Sequence, residues 1–322
     1  MTGLKNFVVM ASGKMRQPAL ERLQQETTLL DWQQGGRMPK EEFDRRLAMA
    51  DALYSTGNLR ITEELLAKAP KLRVIAQASV GYDNIDIEAC ARRGIPVGNT
   101  PGVLVEAVAD LAYGLIIDSA RRLVRAHNHV AAGLWGQNKP FGLGSDLAGK
   151  TLGIIGMGDI GAALVPRAQA SKMQVIYHNR RQRQDDAALG TTYVSLDQLL
   201  AEAHIVVLAV TLNPSTRNLI NSEAISKMRE GAALINISRG AVVDTEALYA
   251  ALVSGKLSYA GLDVTAPEPL PGDHPLLTLP NVTVTPHIAS ATKETRDAMA
   301  ELTAENILAG LAGRPLPAQV KA

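Results

Sequence analysis

The sequence has 322 residues, which is enough for two domains of ordinary size. Its composition, 46% hydrophobic and 20% charged, is typical of a soluble globular protein. The formal net charge of +1 gives no reason to expect a nucleic acid or an anionic membrane as a partner. Cys90 is the only cysteine, so the sequence predicts neither an internal disulfide nor a metal site. With no recognisable targeting signal or apolar span, we expect a cytoplasmic protein.

The first hundred residues alternate short apolar runs with helix-like stretches. The strand candidates are residues 7–11, 28–32, 52–55, 74–78 and 95–98. Such alternation predicts a parallel sheet with helices on both faces. A helix-start signal follows, with Thr100 as the predicted N-cap and Pro101 as the first residue of a long apolar helix over about 102–122.

Residues 150–181 have the pattern strand, glycine turn, helix, strand. Gly156, Gly158 and Gly161 follow an apolar run with the spacing G-x-G-x-x-G. Gly156 allows a tight turn, Gly158 lets a pyrophosphate approach the backbone, and Gly161 lets the helix pack close to the sheet. The helix N-terminus offers unpaired N–H groups to phosphates. The pattern predicts dinucleotide binding by Gly156, Met157, Gly158, Asp159, Ile160 and Gly161.

The residues after the second strand of this unit distinguish the two nicotinamide cofactors. An NAD site usually has Asp or Glu there, which accepts a hydrogen bond from the ribose 2′-OH. Here the residues are His178, Asn179, Arg180 and Arg181, and the two guanidinium groups can hold a 2′-phosphate. We therefore predict NADP(H) as the preferred cofactor, with NAD(H) as the alternative. A solvated basic loop is the other interpretation, since Arg183 continues the run.

Polar residues follow three more predicted strands in the second half. Arg239 follows one strand, and His287 follows another. Asp263 ends a third strand, with Glu268 in the loop beyond it. Parallel strands end at one edge of a sheet, so we expect these residues at the edge that carries the glycine turn. Singly, each is more often an ion-pair partner or a loop residue, but together at this edge they predict a site.

These side chains suit the reduction of a 2-oxo acid. A histidine changes its protonation near neutral pH, so it can deliver a proton to the carbonyl oxygen. A neighbouring carboxylate favours the protonated ring and orients it. Arg239 can bind the substrate carboxylate and polarise the carbonyl group.

Several motifs resemble those of the D-2-hydroxyacid dehydrogenases, namely ASVGYDNID, GMGDIG, INISRGAVVD, GLDVTAPEPLPGDHPLLTLPNV and PHIASAT. Within that family the sequence is most similar to glyoxylate/hydroxypyruvate reductases, over nearly the whole chain. The resemblance implies an α/β fold of two doubly wound parallel-sheet lobes, Rossmann-like and flavodoxin-like, with a cleft between them. A dinucleotide-binding domain of residues 101–289 would interrupt a substrate-binding domain of residues 1–100 and 290–322. The family usually forms homodimers.

The resemblance also implies roles for individual residues. His287 would be the acid/base, Glu268 its partner, and Arg239 the substrate clamp. Backbone N–H groups of Val80 and Gly81 would hold the substrate carboxylate. The remaining matches are Ser290 for the substrate and, for the cofactor, Thr211, Thr216, Ile237, Ser238 and Asp263, the last of which would face the nicotinamide carboxamide.

The expected reaction is NADPH-dependent reduction of glyoxylate or hydroxypyruvate to glycolate or D-glycerate, with His287 as proton donor. One difference from the family pattern leaves the identity of the substrate undecided. Mammalian-type hydroxypyruvate reductases carry a Trp in the loop after the long helix, where this chain has Gly142 beside Phe141. A reductase of larger acids such as 2-ketogluconate is therefore an alternative. A phosphoglycerate dehydrogenase-like enzyme is a separate alternative, against which the missing acidic residue of an NAD site counts. A dinucleotide-sensing corepressor built on this fold is an alternative of another class.

Overall fold

The computed structural model describes residues 3–34, 36, 38–57, 59–137 and 141–321. The chain divides into two compact units, of which unit 1 is Met1–Leu104 with Thr292–Ala322, and unit 2 is Val105–Ala291. Residues 1, 2 and 322, at the ends of the predicted domain ranges, lie outside the described residues. Among the helices of the described ranges, none has both the length and the apolar character of a membrane span.

Unit 1 is built on a parallel sheet. Its described strands are β1 (Val8–Ala11), β2 (Thr28–Leu30), β3 (Ala52–Ser55), β4 (Val74–Gln77) and β5 (Val97–Gly98). They lie in the order β2-β1-β3-β4-β5, and every pairing is parallel. This is the flavodoxin-like order of a doubly wound fold. The connecting helices are α1 (Gln17–Glu26), α2 (Lys40–Met49), α3 (Glu63–Ala67) and α4 (Ile87–Arg92).

Unit 2 is built on a second parallel sheet. Its described strands are β6 (Thr151–Ile155), β7 (Gln174–His178), β8 (Thr192–Tyr193), β9 (Ile205–Leu208), β10 (Ala232–Asn236), β11 (Leu257–Leu262) and β12 (Val282–Val284). The order is β12-β11-β10-β9-β6-β7-β8, again with parallel pairings only. This is the Rossmann order with one further strand, and the order reverses between β6 and β9.

The helices of unit 2 cover this sheet. They are α5 (Val105–Arg121), α6 (Leu123–Ala131), α7 (Asp159–Ala170), α8 (Asp186–Leu189), α9 (Leu196–Glu202), α10 (Ser222–Lys227) and α11 (Thr245–Ser254). Helices α5 and α7 pack together, and Arg167 of α7 pairs with Glu106 and Asp110 of α5 at 2.7 and 2.6 Å. Apolar side chains of α9, α10 and α11 join the core around β9, β10 and β11.

The last helix, α12 (Lys293–Leu311), belongs to unit 1. It packs beside α1 on one face of the first sheet, where its residue Ile307 joins the core with Val9 and Val74. Met10 and Ile75, one position further along their strands, join a separate core with α2, α3 and α4. The alternation of side chains along each strand thus supplies both faces of the sheet.

The prediction of two parallel-sheet α/β lobes is confirmed. The predicted helix start at Thr100 is wrong, because α5 begins at Val105. Gly102 has a φ of 82°, a left-handed conformation that an α-helix does not include. Thr100 therefore caps no helix; its N–H donates to the Ser79 carbonyl, and its Oγ1 is buried with no hydrogen-bond partner in the described part of the chain.

Candidate active site

The polar residues of interest follow the carboxyl ends of strands in unit 2. Because all these strands are parallel, the ends of β6, β9, β10, β11 and β12 lie at one edge of the sheet. The strand order reverses between β6 and β9, and ligands of doubly wound folds bind at such a point. This edge is therefore the candidate site.

The glycine turn after β6 has the shape that a dinucleotide needs. Gly156 has a φ of 101°, and a Cβ there would lie 2.5 Å from the Ala209 carbonyl oxygen. A Cβ at Gly161 would lie 2.6 Å from the Gly156 carbonyl oxygen, so α7 packs tightly on the turn. A Cβ at Gly158 would meet no protein atom within 4 Å, which leaves open space beside the backbone for a pyrophosphate.

Helix α7 begins directly after this turn, with Gly158 as its N-cap. The N–H groups of Gly158, Asp159 and Ile160 have no acceptor among the described residues. Unpaired N–H groups and the positive end of a helix dipole attract anions. The turn therefore fits a dinucleotide pyrophosphate through its backbone.

Asn179, predicted as a cofactor residue, shapes the glycine turn. Its Oδ1 accepts from the Met157 N–H at 2.7 Å, and its Nδ2 donates to the Met157 carbonyl at 3.2 Å. Arg183 Nη1 donates to the same carbonyl at 3.1 Å. His178 faces β8, where its Nδ1 hydrogen-bonds the Val194 carbonyl at 2.9 Å. The side chains of Asn179 and His178 thus have partners within the protein.

Arg180 and Arg181 are exposed, and neither makes a hydrogen bond or ion pair with another described residue. Arg183 differs, because its guanidinium binds both carboxylate oxygens of Asp185 at 2.7 Å. Those hydrogen bonds lower the pKa of Asp185. The guanidinium groups of Arg180 and Arg181 are thus available to bind a phosphate group.

His287 and Glu268 form a close pair. The distance from His287 Nδ1 to Glu268 Oε1 is 2.6 Å, and 43% and 40% of the two side chains are exposed. Because a carboxylate accepts, we assign the proton to Nδ1 of the ring, which leaves Nε2 for another partner. Both side chains are therefore partly accessible to a ligand.

Asp263 anchors the loop that carries His287. The φ of His287 is 54°, in the left-handed region that residues other than glycine avoid. Asp263 is 1% exposed and accepts from Thr285 Oγ1, Ile288 N and Ala289 N at 2.6, 2.8 and 2.9 Å. Backbone strain held by such contacts points to a functional position. The sequence analysis did not predict this anchoring role. That Asp263 faces the nicotinamide carboxamide stays a prediction.

Arg239 follows a turn that Asn236 folds. Asn236 is 1% exposed; its Oδ1 accepts from Ser238 N at 3.0 Å, and its Nδ2 donates to the Arg239 carbonyl at 2.9 Å. Arg239 Nη1 donates to the Ser238 carbonyl at 2.9 Å. Sequence reasoning missed Asn236, although an Asn at a strand end often bonds the backbone two residues on.

Gly240 lets this turn pack against the loop that carries Glu268. A Cβ at Gly240 would lie 1.9 Å from the Thr265 carbonyl oxygen, so the loop backbone would have to move. We expect Gly240→Ala to lower the free energy of unfolding by about 1–3 kcal/mol and to reduce turnover. Thermal unfolding and initial rates measure both. Gly272→Ala is the control, because a Cβ there meets nothing within 4 Å; equal stability of the two variants would contradict the prediction.

The other predicted residues of unit 2 lie after strands at the same edge. Thr216 Oγ1 donates to the Thr211 carbonyl at 2.7 Å in the loop after β9. Ile237 and Ser238 are buried directly after β10, and Ser290 is half-buried beyond the His287 loop.

The predicted carboxylate site of unit 1 is the turn after β4. The Val80 carbonyl accepts from Asn99 Nδ2 at 2.9 Å, and the Gly81 carbonyl accepts from Gln77 Nε2 at 2.6 Å. In the described structure, the N–H groups of Val80 and Gly81 have no acceptor. Adjacent unpaired N–H groups form a concavity that suits an anion.

Gln77 supports this turn and was not predicted. Its side chain is 1% exposed and also contacts Ser79 Oγ and Asn84 Nδ2, each at 2.9 Å. The available signal was a glutamine at the end of an otherwise apolar strand.

The loop in which this sequence has Gly142, where mammalian-type hydroxypyruvate reductases carry a Trp, lies in unit 2. Phe141 contacts the His129 ring at 5.4 Å between centroids and lies 5.2 Å from the Arg125 guanidinium. Gly142 has a φ of 90°. Residues 138–140 of this loop lie outside the described residues.

Comparisons with known proteins agree with this geometry. The profile of the family described as D-isomer specific 2-hydroxyacid dehydrogenase, NAD binding domain, matches residues 113–289. The glyoxylate reductase of Korarchaeum cryptofilum (strain OPF8) is 43% identical over 304 residues, covering 94% of this chain and 92% of that protein. The Homo sapiens glyoxylate reductase/hydroxypyruvate reductase is 42% identical over 294 residues, 90% of each chain.

A solved structure is similar as well. It is the NADPH-dependent glyoxylate/hydroxypyruvate reductase of Sinorhizobium meliloti in complex with NADP and malonate, with a TM-score of 0.87, 32% identity, and coverage of 98% of this chain and 96% of that one. The chain therefore belongs to the D-isomer-specific 2-hydroxyacid dehydrogenase family and is an oxidoreductase that binds a nicotinamide dinucleotide.

Proposed function

We propose that the protein reduces small 2-oxo acids, with glyoxylate and hydroxypyruvate as its main substrates and NADPH as its preferred cofactor. The observation that carries the proposal is the His287–Glu268 pair, at 2.6 Å, on the sheet edge that also bears an open glycine turn. Relatives named glyoxylate reductase and glyoxylate reductase/hydroxypyruvate reductase support the choice of substrates.

His287 is the proton donor in this proposal. When bound, the reduced nicotinamide supplies a hydride, that is two electrons and one proton, to the carbonyl carbon of the 2-oxo acid. His287 delivers a proton from Nε2 to the carbonyl oxygen, because Glu268 occupies Nδ1. Glu268 stabilises the protonated ring and keeps its orientation. The product is the 2-hydroxy acid, and the exposed ring regains its proton from solvent.

Arg239 binds the substrate carboxylate in this proposal. The guanidinium of Arg239 provides two parallel donors and a fixed positive charge. That charge also favours the oxyanion that develops on the carbonyl oxygen. In unit 1, the unpaired N–H groups of Val80 and Gly81 are donors for a carboxylate in this proposal.

The cofactor preference rests on Arg180 and Arg181, and the NADPH-dependent relative supports it. The double variant Arg180→Gln/Arg181→Gln is expected to raise the KM for NADPH at least about tenfold, since charge-assisted hydrogen bonds are lost. The KM for NADH should change little. The control variant Arg60→Gln/Lys71→Gln removes the same charge from exposed positions of unit 1. An equal change for both dinucleotides would contradict the assignment.

A substrate panel separates the alternatives. We would compare kcat/KM for glyoxylate, hydroxypyruvate, 2-ketogluconate and phosphohydroxypyruvate at saturating NADPH. The proposal predicts the highest values for the first two. A preference for 2-ketogluconate would mean that Gly142 opens the site to a larger acid, and a preference for phosphohydroxypyruvate would indicate a phosphoglycerate dehydrogenase. Tight dinucleotide binding without any turnover would favour the corepressor alternative.

The homodimer is also part of the proposal. Residues 123–137 and 141–143 expose apolar side chains, namely Leu123, Val124, Val130, Trp135 and Leu143, the last two at 81% and 90%. Such a concentration of exposed apolar side chains is typical of an interaction surface. We expect light scattering to give the mass of two chains, and the mass of one chain would contradict the proposal.

A further inference from the structure

A cavity of about 280 Å³ lies in unit 2, away from the candidate active site. It is lined by residues at the amino ends of the strands: Lys150 before β6, His204 before β9 and Arg229 before β10. The glycine turn lies at the opposite ends of these strands, roughly 16 Å away along a five-residue strand. We call this cavity the basic cleft.

The basic cleft has an uncompensated positive charge. Lys150 and Arg229 line it, and neither side chain has a hydrogen-bond or ion-pair partner among the described residues. The one carboxylate in the lining of the cleft, Glu230, is bound to Lys256 Nζ at 3.0 Å. Two cations that face one cavity without counter-charges repel each other, and a bound anion would relieve that repulsion.

His204 adds a directed donor to the basic cleft. Its Nδ1 accepts from the Thr151 N–H at 3.1 Å, so the ring is neutral there and its proton lies on Nε2. Burial, and then the charges of Arg229 and Lys150, lower the pKa of His204, which favours this neutral form. A neutral ring with Nε2–H can donate to an anion without adding a third charge.

We propose that the basic cleft is a second ligand site, which binds a compact phosphate-bearing anion through Lys150, Arg229 and His204. The three donors match the phosphate group, since Arg binds two of its oxygens and Lys acts as a point charge. The volume of about 280 Å³ suits a small metabolite. The proposal does not depend on which 2-oxo acid is the substrate.

Isothermal titration with inorganic pyrophosphate tests the site. The protein is first saturated with whichever nicotinamide dinucleotide it binds, so that the glycine turn is not available to the probe. We expect one pyrophosphate per wild-type chain. Lys150→Gln/Arg229→Gln should weaken binding about a hundredfold, because two charge-assisted contacts are lost.

The control is Arg60→Gln/Lys71→Gln, which changes the net charge by the same amount and should keep the wild-type affinity. Circular dichroism and the melting temperature verify that each variant is folded. Two results would overturn the proposal: no binding to the wild type at millimolar pyrophosphate, or an equal loss of affinity in both double variants.

Discussion

Replacing His287 by asparagine is expected to reduce turnover of glyoxylate by about 10²–10⁴-fold, the range for loss of a general acid. Asparagine keeps a polar side chain of similar size, but its amide is not acidic enough to transfer a proton to the carbonyl oxygen. Binding of NADPH should be largely unchanged, because the glycine turn and the loop with Arg180 and Arg181 belong to other segments of unit 2. Initial rates measure the first effect, and fluorescence titration of NADPH measures the second.

His274→Asn is the matched control, since His274 Nδ1 accepts from the Leu276 N–H at 3.2 Å at the start of the turn Pro275–Thr278, a capping role that asparagine keeps. This variant should keep wild-type turnover. Turnover of His287→Asn close to that of the control would show that another group donates the proton. A loss of NADPH binding equal to the loss of turnover would show that His287 acts through the cofactor site.

Replacing Arg239 by lysine is expected to reduce kcat/KM for glyoxylate about 10²-fold, because a hydrogen bond between charged groups contributes about 1.5–3 kcal/mol to binding of the substrate carboxylate. Lysine keeps the charge but not the planar fork that binds two carboxylate oxygens together. The turn that Asn236 folds should survive, because Asn236 binds the backbone of residue 239 and not its side chain. The melting temperature of the variant should therefore stay close to that of the wild type.

Arg314→Lys, at an exposed position of unit 1, is the matched control for this substitution. A substrate that lacks a carboxylate provides the second comparison, since it should not distinguish Arg239→Lys from the wild type. An unchanged kcat/KM for glyoxylate in Arg239→Lys would contradict the role of Arg239 as the substrate clamp.

Local sequence patterns were sufficient for the fold and for the glycine turn. Glycine spacing after an apolar run identified Gly156, Gly158 and Gly161, because a turn between a strand and a helix requires a left-handed residue at Gly156 and close packing of the helix at Gly161. Alternating strands and helices identified the parallel sheets, since crossover connections need that spacing. The family resemblance is likewise confirmed by the match to residues 113–289.

The anchoring contacts of the site were beyond local reasoning. Asp263 accepts hydrogen bonds from Thr285, Ile288 and Ala289, which lie 22 to 26 residues further along the chain. These contacts form only when β11 and β12 pair side by side. A strand-end aspartate therefore suggests a site, but its partners depend on the folded sheet.

The start of α5 shows the opposite failure, in which a local signal was misleading. Thr100 and Pro101 have the residue types of a helix N-terminus. The conformation of Gly102 prevents a helix there, and the backbone of Thr100 instead bonds Ser79 in the turn after β4. Tertiary contacts of this turn thus override the capping signal.

The most direct test of the proposed activity is the initial rate of NADPH and NADH oxidation with glyoxylate and with hydroxypyruvate, compared with the rate without either acid. We expect rapid substrate-dependent oxidation of NADPH, slower oxidation of NADH, and loss of both rates in His287→Asn. A faster rate with NADH would overturn the assignment of Arg180 and Arg181 only. No substrate-dependent oxidation of either dinucleotide would contradict the proposed reductase activity itself.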